Sequence, residues 1–167
     1  MFQTIVRFAS VAALAIGLSH SALADNQPTP LLSISGDITT SSGESTLALD
    51  MGMLRALPET TFETSTIWTD GVHTFTGVSL ADLMAELGVE DGTLVATAIN
   101  DYAVEIPVSD AVEGGPIIAY LMDGEEMTVR DKGPLWVIYP YDSNADYRSE
   151  VVYSRSIWQL DRLEIVQ

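Results

Sequence analysis

A chain of 167 residues with no cysteine, 24 acidic residues and seven basic ones carries a formal net charge of -17. Disulfide scaffolds, thiolate metal centres and thiol nucleophiles are thereby excluded, and a surface of this sign repels nucleic acid and anionic lipid. At this length one hydrophobic core suffices without covalent staples, so a single domain is expected.

Residues 1–24 have the form of a secretory signal peptide: MFQTIVR with one cation, then an apolar run tapering to Ala22-Leu23-Ala24. The apolar run from Phe8 to Leu18 is well short of the roughly 20 residues that a bilayer span needs, which makes a retained anchor the weaker alternative. Cleavage removes Arg7 and no acid, so the exported chain is one unit more negative still. Residues 25–30, DNQPTP, form a polar, proline-punctuated leader, and the domain is expected over residues 31–167.

Leu31–Ile38 and Glu44–Asp50 alternate apolar with polar residues around the turn TTSSG, predicting an opening pair of strands. Met51–Leu57 reads as a short helix, with Asp50 as N-cap and Pro58 just beyond. Glu59–Trp68, rich in threonine and aromatics, reads as a strand. In Ser79–Gly88 the capping box of Ser79 and Asp82 precedes Leu80, Leu83, Met84 and Leu87 at i, i+3, i+4 and i+7, a helix closed by Gly88. Thr93–Asn100 and Tyr102–Pro107 follow as strands, then a one-turn helix around Ser109–Val112. A strand over Pro116–Asp123 ends in a turn at Asp123-Gly124. Further strands are predicted within Pro134–Pro140, Ser149–Ser154 and Arg162–Val166. The order defines a mixed, strand-rich α+β domain.

Few motifs carry chemistry. His73 is the only histidine beyond the signal segment, between two predicted strands, and reads either as a surface histidine or as a proton carrier. No G-x-S-x-G elbow, P-loop or EF-hand loop occurs, and no pair of carboxylates is singled out by spacing. The charge distribution is more informative: Arg130, Lys132, Arg148, Arg155 and Arg162 lie in the last 38 positions, together with Trp136 and Trp158. Each cation either pairs with one of the abundant carboxylates or converges with others on a ligand. Convergence would suit a flat heteroaromatic, held by aromatic faces, by carboxylates or amides at its donor edge, and by cations at its oxygens. Asn100, Asp101 and Tyr102, at the end of an apolar strand, read as part of such a cleft or as an ordinary Asn-Asp turn.

Four segments then resemble, in order, the molybdopterin-binding domain of the sulfite oxidase type. They are FTGVSLADLMAELGV (through Phe75, Gly77, Val78, Leu80 and Leu83), PIIAYLMDGEEM (through Ala119, Tyr120, Asp123, Gly124 and Met127), KGPLWVIYP (through Gly133, Pro134, Leu135 and Pro140) and SIWQLDRLEIV. The resemblance implies that fold and a pterin cofactor. Two departures bear on the chemistry. The region Phe62–Thr66, where the enzymes place a molybdenum-binding cysteine, reads FETST, and Trp136 stands at an arginine position. Short, cysteine-free periplasmic versions of the fold resemble this chain more closely; some bind a free reduced pterin and regulate membrane-bound cyclic-di-GMP enzymes. The implied function is a periplasmic pterin-binding sensor without molybdenum; the alternatives are a molybdopterin-dependent oxidoreductase or its degenerate relative, and a ligand-free interaction domain. The implied site has Trp68, Tyr139 or Trp158 stacking on the ring. Asn100, Asp101 and Asp142 would meet its amino edge, Arg130, Lys132, Arg148 and Arg155 its oxygens, with Tyr102 and Trp136 alongside.

Overall fold

The structure, a computed structural model, describes residues 30–39 and 43–167. The signal segment, most of the leader and the middle of the TTSSG turn lie outside the described residues. The first sheet contains β1 (Leu32–Gly36), β2 (Thr46–Leu49), β5 (Thr93–Ala98), β6 (Ala103–Pro107) and β10 (Leu160–Val166), ordered β2-β1-β10-β5-β6. The second contains β3 (Glu59–Ser65), β4 (Val72–Ser79), β7 (Ile117–Met122) and β8 (Glu125–Glu126) in that order, with β9 (Trp136–Ile138) also paired to β7. Among the described strands only β1 and β10 run parallel, so β10 lies beside β1 in the sheet.

The burial patterns follow from composition. In β5, Leu94, Ala96 and Ala98 are buried while Thr93, Val95 and Thr97 are less so, the period of two that gives a sheet one wet face. The second sheet is buried at its centre: Ile117–Tyr120 of β7 and all of β9 are buried, which is why these strands read as continuous apolar runs, while β3 and β8 at its edges stay largely exposed. Gly77 sits at a shift of register between β4 and β7, and a Cβ there would lie 2.1 Å from Ile118 O, so only glycine permits this approach.

Three short helices complete the domain: α1 (Met51–Ala56), α2 (Leu80–Glu86) and α3 (Glu150–Arg155). Asp50 caps α1 by accepting Met53 N–H at 2.8 Å, and Ser79 caps α2 by accepting Asp82 N–H at 2.9 Å. Two sequence expectations need correction. Ser149–Ser154, expected as a strand from its Val-Val-Tyr run, lies almost wholly in α3, because Ser149 accepts Val152 N–H and Glu150 favours the first helical turn. His73 stands within β4, opposite Thr64 of β3, and not between strands.

A four-residue strap joins the sheets. Val137 N–H donates to Ile157 O at 2.9 Å and Leu160 N–H to Leu135 O at 3.0 Å, while Ile99 N–H donates to Gln159 O at 2.9 Å. Residues 156–159 are thus bonded to β9 on one side and to the end of β5 on the other. The candidate site is built on this strap.

Candidate functional site

A cleft of about 460 Å³ opens where the strap, the β3–β4 loop, the β5–β6 turn and α3 meet. Trp68 enters from the β3–β4 loop. That loop is closed by the Thr66 hydroxyl, which accepts both Trp68 N–H and Thr69 N–H at 3.0 Å. Ala98, Asn100 and Tyr102 come from the β5–β6 turn, Tyr153 and Ser154 from α3, and Ser156–Gln159 from the strap. Two of these backbones hold left-handed conformations at non-glycine residues: Gln159 has φ 55° on the strap, and Asp101 has φ 66° between Asn100 and Tyr102. A strained φ at a cleft wall persists only where the surroundings enforce it. Here the strap hydrogen bonds and the Asn100 side chain, which accepts Tyr102 N–H at 3.2 Å, do so.

The walls are aromatic. Trp68 meets Trp158 and Tyr153 with centroid separations of 5.8 Å and interplanar angles of 71° and 85°, and it meets Trp136 behind them at 5.8 Å. Edge-to-face pairs of this kind are each worth about 0.5–1.5 kcal/mol beyond burial, so the orientation of Trp68 is fixed in advance of any ligand. Trp158 is 39% exposed and Tyr102 58% exposed, leaving ring faces open to the cleft region. Polar groups are few and uncharged: Asn100, Ser154, Ser156 and Gln159. Ser154 Oγ donates to Val151 O at 2.7 Å and Ser156 Oγ to Val152 O at 3.0 Å, while Asn100 Oδ1 accepts Tyr102 N–H and Gln159 Nε2 donates one hydrogen to Val129 O at 2.6 Å, so each amide keeps its remaining donors and acceptors for a ligand. An aromatic box with a few amides binds a flat heteroaromatic by its faces and its edge.

Four of the sequence-predicted residues, Trp68, Asn100, Tyr102 and Trp158, therefore line one cleft. Lys132 sits at its margin, its Nζ 5.9 Å from the Trp158 ring centroid and 5.6 Å from that of Trp136. The others are placed elsewhere. Trp136 is fully buried, its indole N–H donating to Ser156 O at 3.1 Å, so it supports the cleft from behind and offers no face. Tyr139 is likewise fully buried; its hydroxyl donates to Asp110 Oδ2 at 2.7 Å, and burial followed by that carboxylate drives its ionisation far above the usual phenol range. Arg155 is committed to the same Asp110 oxygen at 2.8 Å. Asp101 pairs with Arg162 at 2.5 Å and is not among the residues lining the cleft.

Asp142 is occupied by β3: one oxygen accepts Ser65 N–H at 2.6 Å and the other the Ser65 hydroxyl at 2.9 Å. Those bonds hold its pKa below the ordinary carboxylate range, with a smaller pull from Arg148. Arg130 and Arg148 are exposed. Sequence reasoning missed Tyr153, Ser154 and Gln159. The Ser149 cap was the available signal for the first two, since a helix there turns Tyr153 back towards Trp68.

The sequence matches the family described as "oxidoreductase molybdopterin binding domain" over residues 40–145, and the chain belongs to that family. Among solved structures it is similar to the sulfane dehydrogenase SoxCD from Paracoccus pantotrophus, with TM-score 0.60 and 19% identity, covering 80% of this chain and 37% of that one. A likeness at that identity is one of fold, and this chain spans well under half the length of the other. No curated protein matches the chain by sequence.

The donor set can be tested against the cofactor that the family name implies. The aromatic walls and the amides of Asn100 and Gln159 fit the ring of a pterin. The sequence contains no thiolate to ligate a metal, and among the described residues no three histidine, aspartate or glutamate side chains gather as metal ligands. The residues present fit the ring of the cofactor, and they include no thiolate for a metal.

Proposed function

We propose that the chain is a periplasmic pterin-binding protein that works without protein-ligated molybdenum, as a sensor or regulator of a membrane-bound signalling partner. The observation that carries ring binding is the cleft itself: Trp68, Tyr153 and Trp158 form a pre-set aromatic box beside the Asn100 and Gln159 amides. Its volume of about 460 Å³ falls within the range of small-molecule sites. Uncharged walls suit a neutral ring, and a reduced, metal-free pterin presents such a ring with an amino edge for the Asn100 carbonyl and a carbonyl oxygen for the Gln159 amide. Export is supported by the form of residues 1–24. The regulatory role, with the periplasmic part of a cyclic-di-GMP enzyme as partner, is supported by resemblance to short, cysteine-free versions of the fold.

Isothermal titration with a tetrahydropterin tests the binding reading: saturable heat with one site per chain is expected, and no heat at millimolar ligand overturns it. Family membership favours a second reading, a molybdopterin-dependent oxidoreductase or its degenerate relative. Stoichiometric molybdenum in protein purified from the periplasm would decide for that second reading.

A further inference from the structure

Trp68 reaches the cleft from the loop of residues 66–71, between β3 and β4. The first half of that loop is closed from within, by the Thr66 hydroxyl on Trp68 N–H and Thr69 N–H. The second half turns at Gly71, with φ 81°. Among the described residues one hydrogen bond holds it from outside the loop: Asp70 O lies 3.0 Å from His73 Nε2.

The other ring nitrogen of His73 is anchored in the second sheet. Its Nδ1 lies 2.6 Å from Asp123 Oδ2, at the β7–β8 turn. Asp123 is itself fixed on β4, since its Oδ1 accepts Thr74 N–H at 3.0 Å and its N–H donates to Thr74 O at 2.8 Å. A backbone carbonyl and an ionised carboxylate can only accept, so both bonds form together only when each ring nitrogen carries a proton, as in the imidazolium. A neutral ring has one N–H. It keeps the stronger bond to the carboxylate and turns a lone pair on Asp70 O, which frees the second half of the loop.

The charged groups facing the ring are acidic: the Asp123 carboxylate from the β7–β8 turn and the Asp70 carboxylate from the loop. β3 presents the uncharged Thr64 opposite it, and Phe75 of β4 meets it edge-on at 6.4 Å. The hydrogen bond to Asp123 leads the causes that raise the histidine pKa, which places the loss of the proton above the ordinary histidine range.

We propose that His73 is a proton-operated latch on the Trp68 loop: the imidazolium ties the loop to the second sheet and sets the cleft wall, and loss of one proton releases it. The inference rests on the ring-binding reading above and adds its regulation, with the ring held more tightly on the acid side. His73 acts through Trp68 and is a positioning residue. Trp68 also packs on Trp136, Tyr153 and Trp158, so release loosens the wall without dismantling it.

The test begins on the full chain without ligand, labelled with nitrogen-15 and taken from about pH 5.5 to 8.5, a range that spans histidine titration. The Trp68 indole signal should move with the same midpoint as the His73 ring signals. Asp123→Asn keeps an oxygen for Thr74 N–H but removes the charge, so it should shift that midpoint to lower pH, and His73→Asn should abolish it. A Trp68 signal that stays still while His73 titrates, or a midpoint that Asp123→Asn leaves in place, overturns the latch. Calorimetric titration with a tetrahydropterin at the two ends of the range then reads the coupling. The affinity ratio, acid over alkaline, should be about twofold larger in the unaltered chain than in His73→Asn, the scale of a partly exposed ion pair. Titration of the pterin itself enters both proteins alike and cancels. Equal ratios overturn the link to binding, whereas no binding at either pH with the indole response intact overturns the ring-binding reading and leaves the latch standing.

Discussion

Trp136 and Trp158 are bridged across the seam between the two sheets, their ring centroids 6.4 Å apart, yet one is fully buried and the other is 39% exposed. The segment containing Trp136 is all frame: from Leu135 to Tyr141 every residue is buried, with Tyr139 tied to Asp110 and Tyr141 to Ser156. The strap containing Trp158 is the open face, its aromatic and amide groups lining a cleft. Two tryptophans of the same chemistry thus do different work because one backs the wall that the other forms.

Substitutions that should separate strongly if this contrast holds are those at the two tryptophans. Trp136→Ala removes a fully buried indole together with its hydrogen bond to Ser156 O, and should cost about 3–5 kcal/mol in urea unfolding. Trp158→Ala should cost only about 1–2 kcal/mol, since much of the ring is already in water, but should weaken pterin binding at least about tenfold. A Trp136 variant that unfolds no more easily than the Trp158 variant would erase the distinction between frame and face.

A smaller effect sharpens the frame side. Tyr139→Phe removes the hydroxyl from Asp110 while leaving Arg155 on the same carboxylate, so about 1 kcal/mol should be lost in urea unfolding with ring binding intact.

The smallest expected effect lies away from both segments, at His73. Its Nδ1 lies 2.6 Å from Asp123 Oδ2, an arrangement that raises the histidine pKa, while Asp123, bonded to His73 and to Thr74 N–H, titrates below its usual range. The histidine contribution is complete below its unfolded pKa of about 6.5 and is lost as pH rises through the raised folded value. The aspartate contribution is complete above its unfolded pKa of about 3.9 and is lost as pH falls through the lowered folded value. The pair therefore stabilises most between about pH 4 and 6.5, by no more than about 0.5 kcal/mol because both groups are open to solvent. His73→Asn should flatten the fall in stability between pH 6 and 8 by that amount, measured by thermal melts across the range.

Much of the frame was legible in the sequence because its signals are local. Ser79 and Asp82 mark α2, and the alternation of Leu94, Ala96 and Ala98 marks β5. The four ordered segments around Gly77, Gly124, Gly133 and Trp158 pointed to the family to which the chain belongs. The site was legible only in part. Trp68, Asn100, Tyr102 and Trp158 were expected together and do line one cleft, but Tyr153 was hidden by the strand propensity of Val151-Val152-Tyr153, which the Ser149 cap overrides. Tyr139 and Trp136 were expected at the ligand because aromatic content carries no information about which side of a seam a ring faces. That is decided by the pairing of residue 137 with residue 157, a long-range hydrogen bond with no local trace.

The most direct test uses the three indole N–H signals of the protein in a proton–nitrogen correlation spectrum, assigned by single substitutions, as a reduced pterin is titrated in. The cleft account predicts that the Trp68 and Trp158 signals shift and saturate together, while that of Trp136, buried and bonded to Ser156 O, moves far less. Saturable binding that leaves Trp68 and Trp158 unmoved would contradict it.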